Sequence, residues 1–213
     1  VPATAALEEV EKDILYLIYK ANRPGSIPGV IGSIRHSMTG VRDRLSVDTW
    51  RILARLQTHA RARPHRNPVA DALDLIDTLI FDLAAFSGME MENMTRGHGW
   101  RFLDFGRRLE RSFHITSLLE AGLLADSNST AMLESLLEIA DSSITYRRRH
   151  LAQVQLHGVL QLLLKDETNP RALAFQLCAL RDHSKNLPVA SMAGSGEMEG
   201  AQVARLLDRV RQQ

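Results

Sequence analysis

An all-α fold, a multi-helix bundle with an echo of duplication between its halves, is what this sequence predicts, on three observations. Apolar residues recur at helical spacing from one end of the chain to the other, and no segment reads convincingly as a strand. Clusters of glycine, proline, asparagine and serine punctuate the periodic runs. The echo is that Asn22-Arg-Pro24 and Asn169-Pro170 are each followed, eleven residues after the proline, by an arginine (Arg35 and Arg181) across a mostly apolar helix.

The first helix is expected from about Ala5 to Tyr19, where Asn22-Arg-Pro-Gly-Ser26 interrupts the period and supplies an N-cap candidate. A second runs from Ser26 to about Asp43 despite Gly29, Gly32 and Gly40, each costing about 1 kcal/mol relative to alanine unless a close neighbour requires it. Ser46 caps a third helix through Trp50 and Leu53 to about Ala60, with Asp48 near its positive end, and Arg63-Pro-His-Arg-Asn-Pro68 stops it. From Val69 the series Leu73, Ile76, Leu79, Ile80, Leu83, Phe86 predicts a long amphipathic helix ending near Gly88 or kinking into Glu92-Asn93. Gly97-His-Gly99 is expected to turn the chain before a helix from Phe102 to about Ala121.

After the connection Gly122–Ser129, capped by Ser129 or Thr130, a long helix is expected from Leu133 to about Gln155, carrying Tyr146-Arg-Arg-Arg149. Val159 to Leu164 reads as a short apolar helix. Asn169-Pro170 restarts the chain for a helix to about Asn186, with proline in its first turn. Met192–Gly200 is rich in glycine and serine, and Ala201 to Arg211 is a last amphipathic helix, expected to be loosely held. The expected division is a helical domain over 1–187 and a flexible segment with a C-terminal helix over 188–213.

With 213 residues, 45% of them hydrophobic and 24% charged, the chain can bury one sizeable core or two small ones. A net charge of +1 makes no field that would draw nucleic acid or an anionic membrane. Only four of the 26 basic residues are lysines, so 22 are arginines, the cation suited to paired or bidentate contacts with carboxylate and phosphate; a GC-rich genome is the plainer explanation. The lone Cys178 excludes an internal disulfide and, beside Phe175 and Leu177, reads as core packing. No apolar run has membrane-spanning length and no signal-peptide pattern opens the chain, so a cytoplasmic location is expected. A start at Val1 predicts a domain cut from, or processed out of, something longer.

The stretch Glu92–Arg111 spends glycine, tryptophan, glutamate and five arginines on one helix and its approach. At 100° per residue, Phe102, Phe105, Gly106, Leu109 and Phe113 form a stripe expected to be core. Trp100, Leu103, Arg107, Glu110, Arg111 and His114 form a second, either an exposed ion-pair ladder or a covered binding stripe, and Arg101, Asp104 and Arg108 a third, expected to be solvated. Three consecutive cations in Arg147-Arg-Arg149 face different directions, so at most two can meet one ligand. Asn169 and Arg171 sit at an expected helix start, where free N–H groups and a cation suit an anion, although simple capping fits equally. No phosphate-cradling glycine loop of either common type is present, and no Glu-x-x-His pair suggests a metal site.

At Glu92–Arg111, with its Glu110-Arg111 pair, the chain closely resembles the alpha-E family, bacterial all-helical domains of unknown function named for an ER motif. Val41-Arg-Asp-Arg-Leu-Ser46 with Trp50, Ala84-Ala-Phe-Ser-Gly88, Asp141-Ser-Ser-Ile-Thr-Tyr-Arg-Arg-Arg149, and Asp166-Glu-Thr-Asn-Pro-Arg171 with Phe175-Gln176 agree in order, spanning most of Asn22 to Leu187. An earlier ER-bearing helix usual in such domains has no counterpart here, so the resemblance implies their C-terminal part. It also implies work beside a circularly permuted ATP-grasp amide-forming ligase, often near a transglutaminase-like protein, in peptide synthesis or modification. ATP and Mg²⁺ would then come only through the ligase, with no cofactor, metal, nucleic acid or membrane of the chain's own; self-assembly stays open.

Three functions compete on these residues. In the first, a helical accessory or substrate-binding module, Glu92, Asn93, Arg96, Arg107, Glu110 and Arg111 line the site, with Tyr146, Arg147, Arg149, Asn169 and Arg171 as further contributors. In the second, an enzyme acting on amide or ester-like bonds, Glu110 is a general base controlled by burial or by Arg107 and Arg111. In the third, a structural assembly domain, the ER pair is a buried clasp.

Overall fold

In a computed structural model the chain is described over residues 2–21, 23–65, 67–126, 129–150, 153–187 and 195–212, and among these there are ten helices and no strand. The expected all-α fold is therefore observed. The helices fall into two compact units, Val1–Thr95 and Arg96–Gln213.

Unit 1 contains α1 (Pro2–Tyr19), α2 (Ile27–Thr39), α3 (Val47–His59) and α4 (Pro68–Asn93). Each start after the first has a side-chain cap. Ser26 Oγ accepts from Gly29 N–H, Ser46 Oγ from Thr49 N–H, and Asn67 Oδ1 from Val69 and Ala70 N–H, with prolines in the first turns of α2 and α4. The expected second helix stops four residues early, at Thr39, and a short 3-10 turn, Arg42–Arg44, follows. Its glycines do not mark a neighbouring helix. A Cβ at Gly29 would lie 2.9 Å from Ser26 Oγ and 3.3 Å from the Ala21 carbonyl oxygen, so the close approach is to the preceding turn, and nothing lies within 4 Å at Gly32. α4 passes Gly88 without ending. Ile18, Ile31, Leu56, Leu75 and Leu79 form the core of this unit.

Unit 2 contains α5 (His98–Asp126), α6 (Thr130–Ile139), α7 (Ser143–Arg149), α8 (Leu156–Leu160), α9 (Leu173–Ser184) and α10 (Ser195–Gln212), with a π-helical turn, Gln161–Lys165, extending α8. The glycines at 97 and 99 do not delay α5, which begins at His98, as the Gly97 carbonyl already accepts from Arg101 N–H. The single long helix expected from Leu133 is two helices. Asp141 takes a left-handed conformation, φ 49°, and Leu137 and Glu138 carbonyls accept from Ser142 and Asp141 N–H, which closes α6 before α7. Asn169-Pro170 does not start α9; Ala172 precedes it, and Asn169 turns inward instead.

Residues 1, 22, 66, 127–128, 151–152, 188–194 and 213 lie outside the described set, and with them parts of the expected turns at Asn22 and Arg66, the 122–129 connection, the end of the long helix and the Gly/Ser-rich segment.

Ile115, Leu119, Leu136, Leu137, Leu162 and Leu163 form the larger core of unit 2. Leu207 of α10 joins Ala174, Leu177 and Leu180 of α9 in another, against which Cys178 packs as its sequence context suggests. Full burial of a leucine contributes about 1.5–3 kcal/mol, so Leu207 anchors α10 more firmly than composition alone conveys.

Gly158 of α8 shows how tightly this core closes. A Cβ there would meet Tyr146 Oη at 2.7 Å and its ring carbons at 2.9 and 3.1 Å, and Gln155 N–H donates to the same hydroxyl. A rigid ring cannot swing aside as a leucine tip can, so Gly158→Ala is expected to destabilise unit 2 by about 1–3 kcal/mol. Chemical denaturation of the variant checks this, and an unchanged midpoint would contradict the packing.

Candidate functional site: a buried carboxylate among arginines

Of the α5 stripe expected to be core, Phe105 packs against the α9–α10 cluster, but the most buried face of the helix is a different one. Phe102 and Phe113 are 59% and 67% exposed, whereas Asp104, of the stripe expected to be solvated, is 3% exposed. Asp104, Arg108, Ile115, Leu119 and Gly122 recur at intervals of three, four or seven residues and lie on one face. That face packs on α9 near its start and on α6 near its end.

Asp104 is held on one oxygen by two cationic or protonatable groups. His183 Nε2, from α9, lies 2.7 Å from Oδ2, and Arg108 Nε donates to the same oxygen at 3.1 Å. Arg107 Nη1 lies 3.8 Å from Oδ1, which accepts no hydrogen bond among the described residues. Arg108 also donates from Nη1 to Gln176 Oε1 at 3.2 Å, its guanidinium lies over the Phe175 ring at 5.3 Å, and Gln176 Nε2 donates to the Pro170 carbonyl. Trp100 meets the His183 ring edge-on at 5.3 Å, and Arg96 covers Trp100 at 4.4 Å. Burial pushes the Asp104 carboxyl up, but the hydrogen bonds and charges of His183 and Arg108 outweigh it and hold the carboxyl below its ordinary range.

Arg111 has the opposite surroundings. It is half-buried, and among the described residues it has no carboxylate at ion-pair distance. Burial lowers its pKa, and the charges of Arg108, Arg171 and Arg107 lower it further against a smaller opposing pull from Asp104. Arginine remains cationic in any protein environment, so burial and neighbouring cations both make an anionic partner favourable there.

Of the candidates read from the sequence, Arg107 and Arg171 act on Arg111 through their charges, and Arg107 also approaches Asp104. Arg171 also donates to Asp141 Oδ2 at 2.7 Å. Asn169 is a buried strut: its Nδ2 donates to the Leu162 carbonyl and Ser142 Oγ, and its Oδ1 accepts from Arg171 N–H. It does not offer free N–H groups to an anion at a helix start. Tyr146 is buried with its hydroxyl bound by Gln155 N–H, and Arg149 is engaged by Asp166 and Thr168. Arg147 is exposed. Glu110 is exposed on α5 and makes no hydrogen bond or ion pair with another described residue, so the burial invoked for a general base there is missing, as is the buried Glu110–Arg111 clasp. Glu92 and Asn93 belong to unit 1, exposed in the last turn of α4, where Asn93 Nδ2 lies 3.9 Å from Met89 Sδ.

Sequence reasoning missed Asp104, Arg108, Gln176 and His183 as a group. It also missed a second buried carboxylate, Asp82 in unit 1, whose Oδ1 lies 2.6 Å from Arg55 Nη2 and whose Oδ2 lies 3.0 Å from His59 Nδ1. Following α5 to its end would have revealed the first, since Ile115 and Leu119 share the Asp104 face. No helix among the described residues is long and apolar enough to cross a membrane.

A family model, Alpha-E, described as a predicted alpha-helical domain with a conserved ER motif, matches residues 2–213, essentially the whole chain and not only the C-terminal part that the resemblance implied. An uncharacterized protein of Mycobacterium bovis is 34% identical over 181 residues, covering 80% of this chain and 20% of that protein. Uncharacterized proteins from two strains of Mycobacterium tuberculosis match with the same identity and coverage. The chain therefore spans about a fifth of the length of these relatives. No solved structure matches it.

Proposed function

Since the chain belongs to the Alpha-E family, and its mycobacterial relatives are themselves uncharacterized, we propose that it is a helical binding module that holds an anionic group, a carboxylate or a phosphoryl, at the arginines of unit 2. The observation that carries this reading is the setting of Arg111: half-buried, under the charges of Arg108, Arg171 and Arg107, and with no carboxylate at ion-pair distance among the described residues, while Asp104 is engaged by Arg108 and His183. A bidentate anion would complete the set, because guanidinium forks match carboxylate and phosphate geometry.

In this reading the module works in the cytoplasm with an ATP-grasp amide-forming ligase in peptide synthesis or modification. A carboxylate substrate and the phosphoryl groups of ATP both suit an arginine cluster. The family resemblance supports the partnership; the arginines support the ligand class.

The test is ligand-dependent stabilisation. A bound anion raises the melting temperature by mass action, so inorganic phosphate and a glutamyl dipeptide, titrated separately at fixed ionic strength, are expected to raise it for the native chain. Arg111→Ala is expected to remove that rise while leaving the unliganded chain as stable or more so, because it relieves like-charge repulsion. Equal shifts in both proteins would sink the assignment.

A structural reading has one observation in its favour: Asp104, His183, Arg108 and Gln176 form a buried clasp between α5 and α9 irrespective of any ligand. It differs from the clasp expected at Glu110-Arg111 in every residue.

A further inference from the structure

We propose that the α1–α4 face of unit 1 is a docking site for a basic amphipathic helix of a partner protein, a function separate from the anion site of unit 2. A groove of about 330 Å³ runs between the two helices, with Leu7, Val10 and Ile14 of α1 opposite Val69, Leu73 and Ile76 of α4. On the other flank of α4 a second apolar groove, about 280 Å³, is lined by Val30 and Ile34 of α2 with Ile76, Ile80 and Leu83. Ile76 belongs to both, so the apolar surface continues across α4.

These residues are not an incomplete core. Ile18, Leu75 and Leu79 already close the interior of the unit, while Leu73 and Ile80 remain 61% and 56% exposed. Leu73, Ile76, Ile80 and Leu83 follow one another at intervals of three, four and three residues, the spacing of a seam that packs against another helix. From Val69 to Leu83 this seam is about 21 Å long at 1.5 Å per residue, which matches a partner helix of three to four turns.

Charge identifies the partner. α4 carries neither lysine nor arginine, and of its six acidic residues all but the buried Asp82 and Glu90 are at least partly exposed. Asp74 and Asp77 are exposed beside the seam, and Glu11 lines the α1–α4 groove. Lys12, Lys20 and Arg63 line a different cavity with Tyr16 and Tyr19, which leaves Arg35, next to Ile34 on α2, as an exposed cation beside the second groove. An apolar seam with an acidic rim favours Lys/Arg-flanked helices, and the same rim opposes both an anionic lipid surface and the equivalent face of a second copy.

The probe is a fluorescein-labelled amphipathic peptide of about four turns with a leucine stripe and a lysine face, compared by anisotropy with a twin carrying glutamates for lysines. The full chain is expected to bind the lysine peptide saturably at one site. Leu73→Gln with Ile80→Gln should weaken it by about tenfold or more, or about 1.4 kcal/mol. Asp74→Lys with Asp77→Lys should shift preference toward the glutamate twin, a reversal that misfolding could not produce. Phe102→Gln with Phe113→Gln, exposed apolar positions of unit 2, should change nothing. Equal binding of the twins, or equal loss with the Phe102 and Phe113 substitutions, would overturn the proposal. So would dimerisation, seen by sedimentation velocity, or adsorption to phosphatidylglycerol vesicles, if either disappeared with the Leu73 and Ile80 substitutions.

Discussion

Replacing Asp104 with alanine is expected to cost unit 2 about 3–5 kcal/mol, because it orphans charge that cannot reach water. His183 and Arg108 are both largely buried where they meet Asp104, and each has Oδ2 as its principal anionic partner. Asp104→Asn should cost less, since an amide oxygen can still accept one hydrogen bond. Urea unfolding monitored by Trp100, which lies against His183, in a Trp50→Phe background reads unit 2 alone. A loss below about 1 kcal/mol would show that the clasp holds no more than an exposed ion pair does. The acid limb supplies an independent check. With the folded carboxyl held below its unfolded value of about 3.9, the stabilisation is complete above that pH. It is lost as pH falls through the lower folded value. Asp104→Ala should flatten that part of the stability–pH curve.

The helical identity of nearly every segment was legible in the sequence, because apolar period and caps such as Ser26, Ser46 and Ser129 are local signals. Breaks that depend on a single backbone conformation were not. Asp141, at positive φ, divides what reads as one continuous helix from Leu133, and nothing in its neighbours' polarity announces the break. Conversely, glycines at 97 and 99 read as a turn but fall at the start of α5, where a helix tolerates them.

At the site, the ER stretch points to the helix that holds Asp104, and Arg107 and Arg111 of that stretch lie among other charged side chains. The error lay in choosing the inward face. Phe102, Leu109 and Phe113 outweigh Asp104 and Arg108 in hydropathy, and over the first four turns that comparison points the wrong way. Only the last turns, with Ile115, Leu119 and Gly122, fix the rotation; a Cβ at Gly122 would lie 2.6 Å from a Leu136 methyl, so α6 must lie on that side. His183 was invisible for another reason. Its partner is 79 residues away, and no local pattern links a histidine near a helix end to a distant aspartate.

Unit 1 is expected to respond in the opposite order, and a double substitution, Arg55→Ala with His59→Ala, should cost it about 3 kcal/mol or more. There the carboxylate alone is buried. Asp82 is 1% exposed, while the Arg55 side chain is 64% and the His59 side chain 32% exposed. Removing Asp82 releases two side chains that water can accept, so Asp82→Ala should cost only about 1–2 kcal/mol, the scale of lost charge-assisted hydrogen bonds. Removing both partners strands the carboxylate in an apolar setting, which costs more. Adding Asp82→Leu to the double variant should recover most of the loss, because the stranded charge is gone and the cavity is filled. Denaturation followed by Trp50 fluorescence in a Trp100→Phe background measures all three. If Asp82→Ala proves the costlier change, then Arg55 and His59 are held by their aspartate far more firmly than their exposure indicates, and Asp82 is the organiser of that surface rather than its buried dependent.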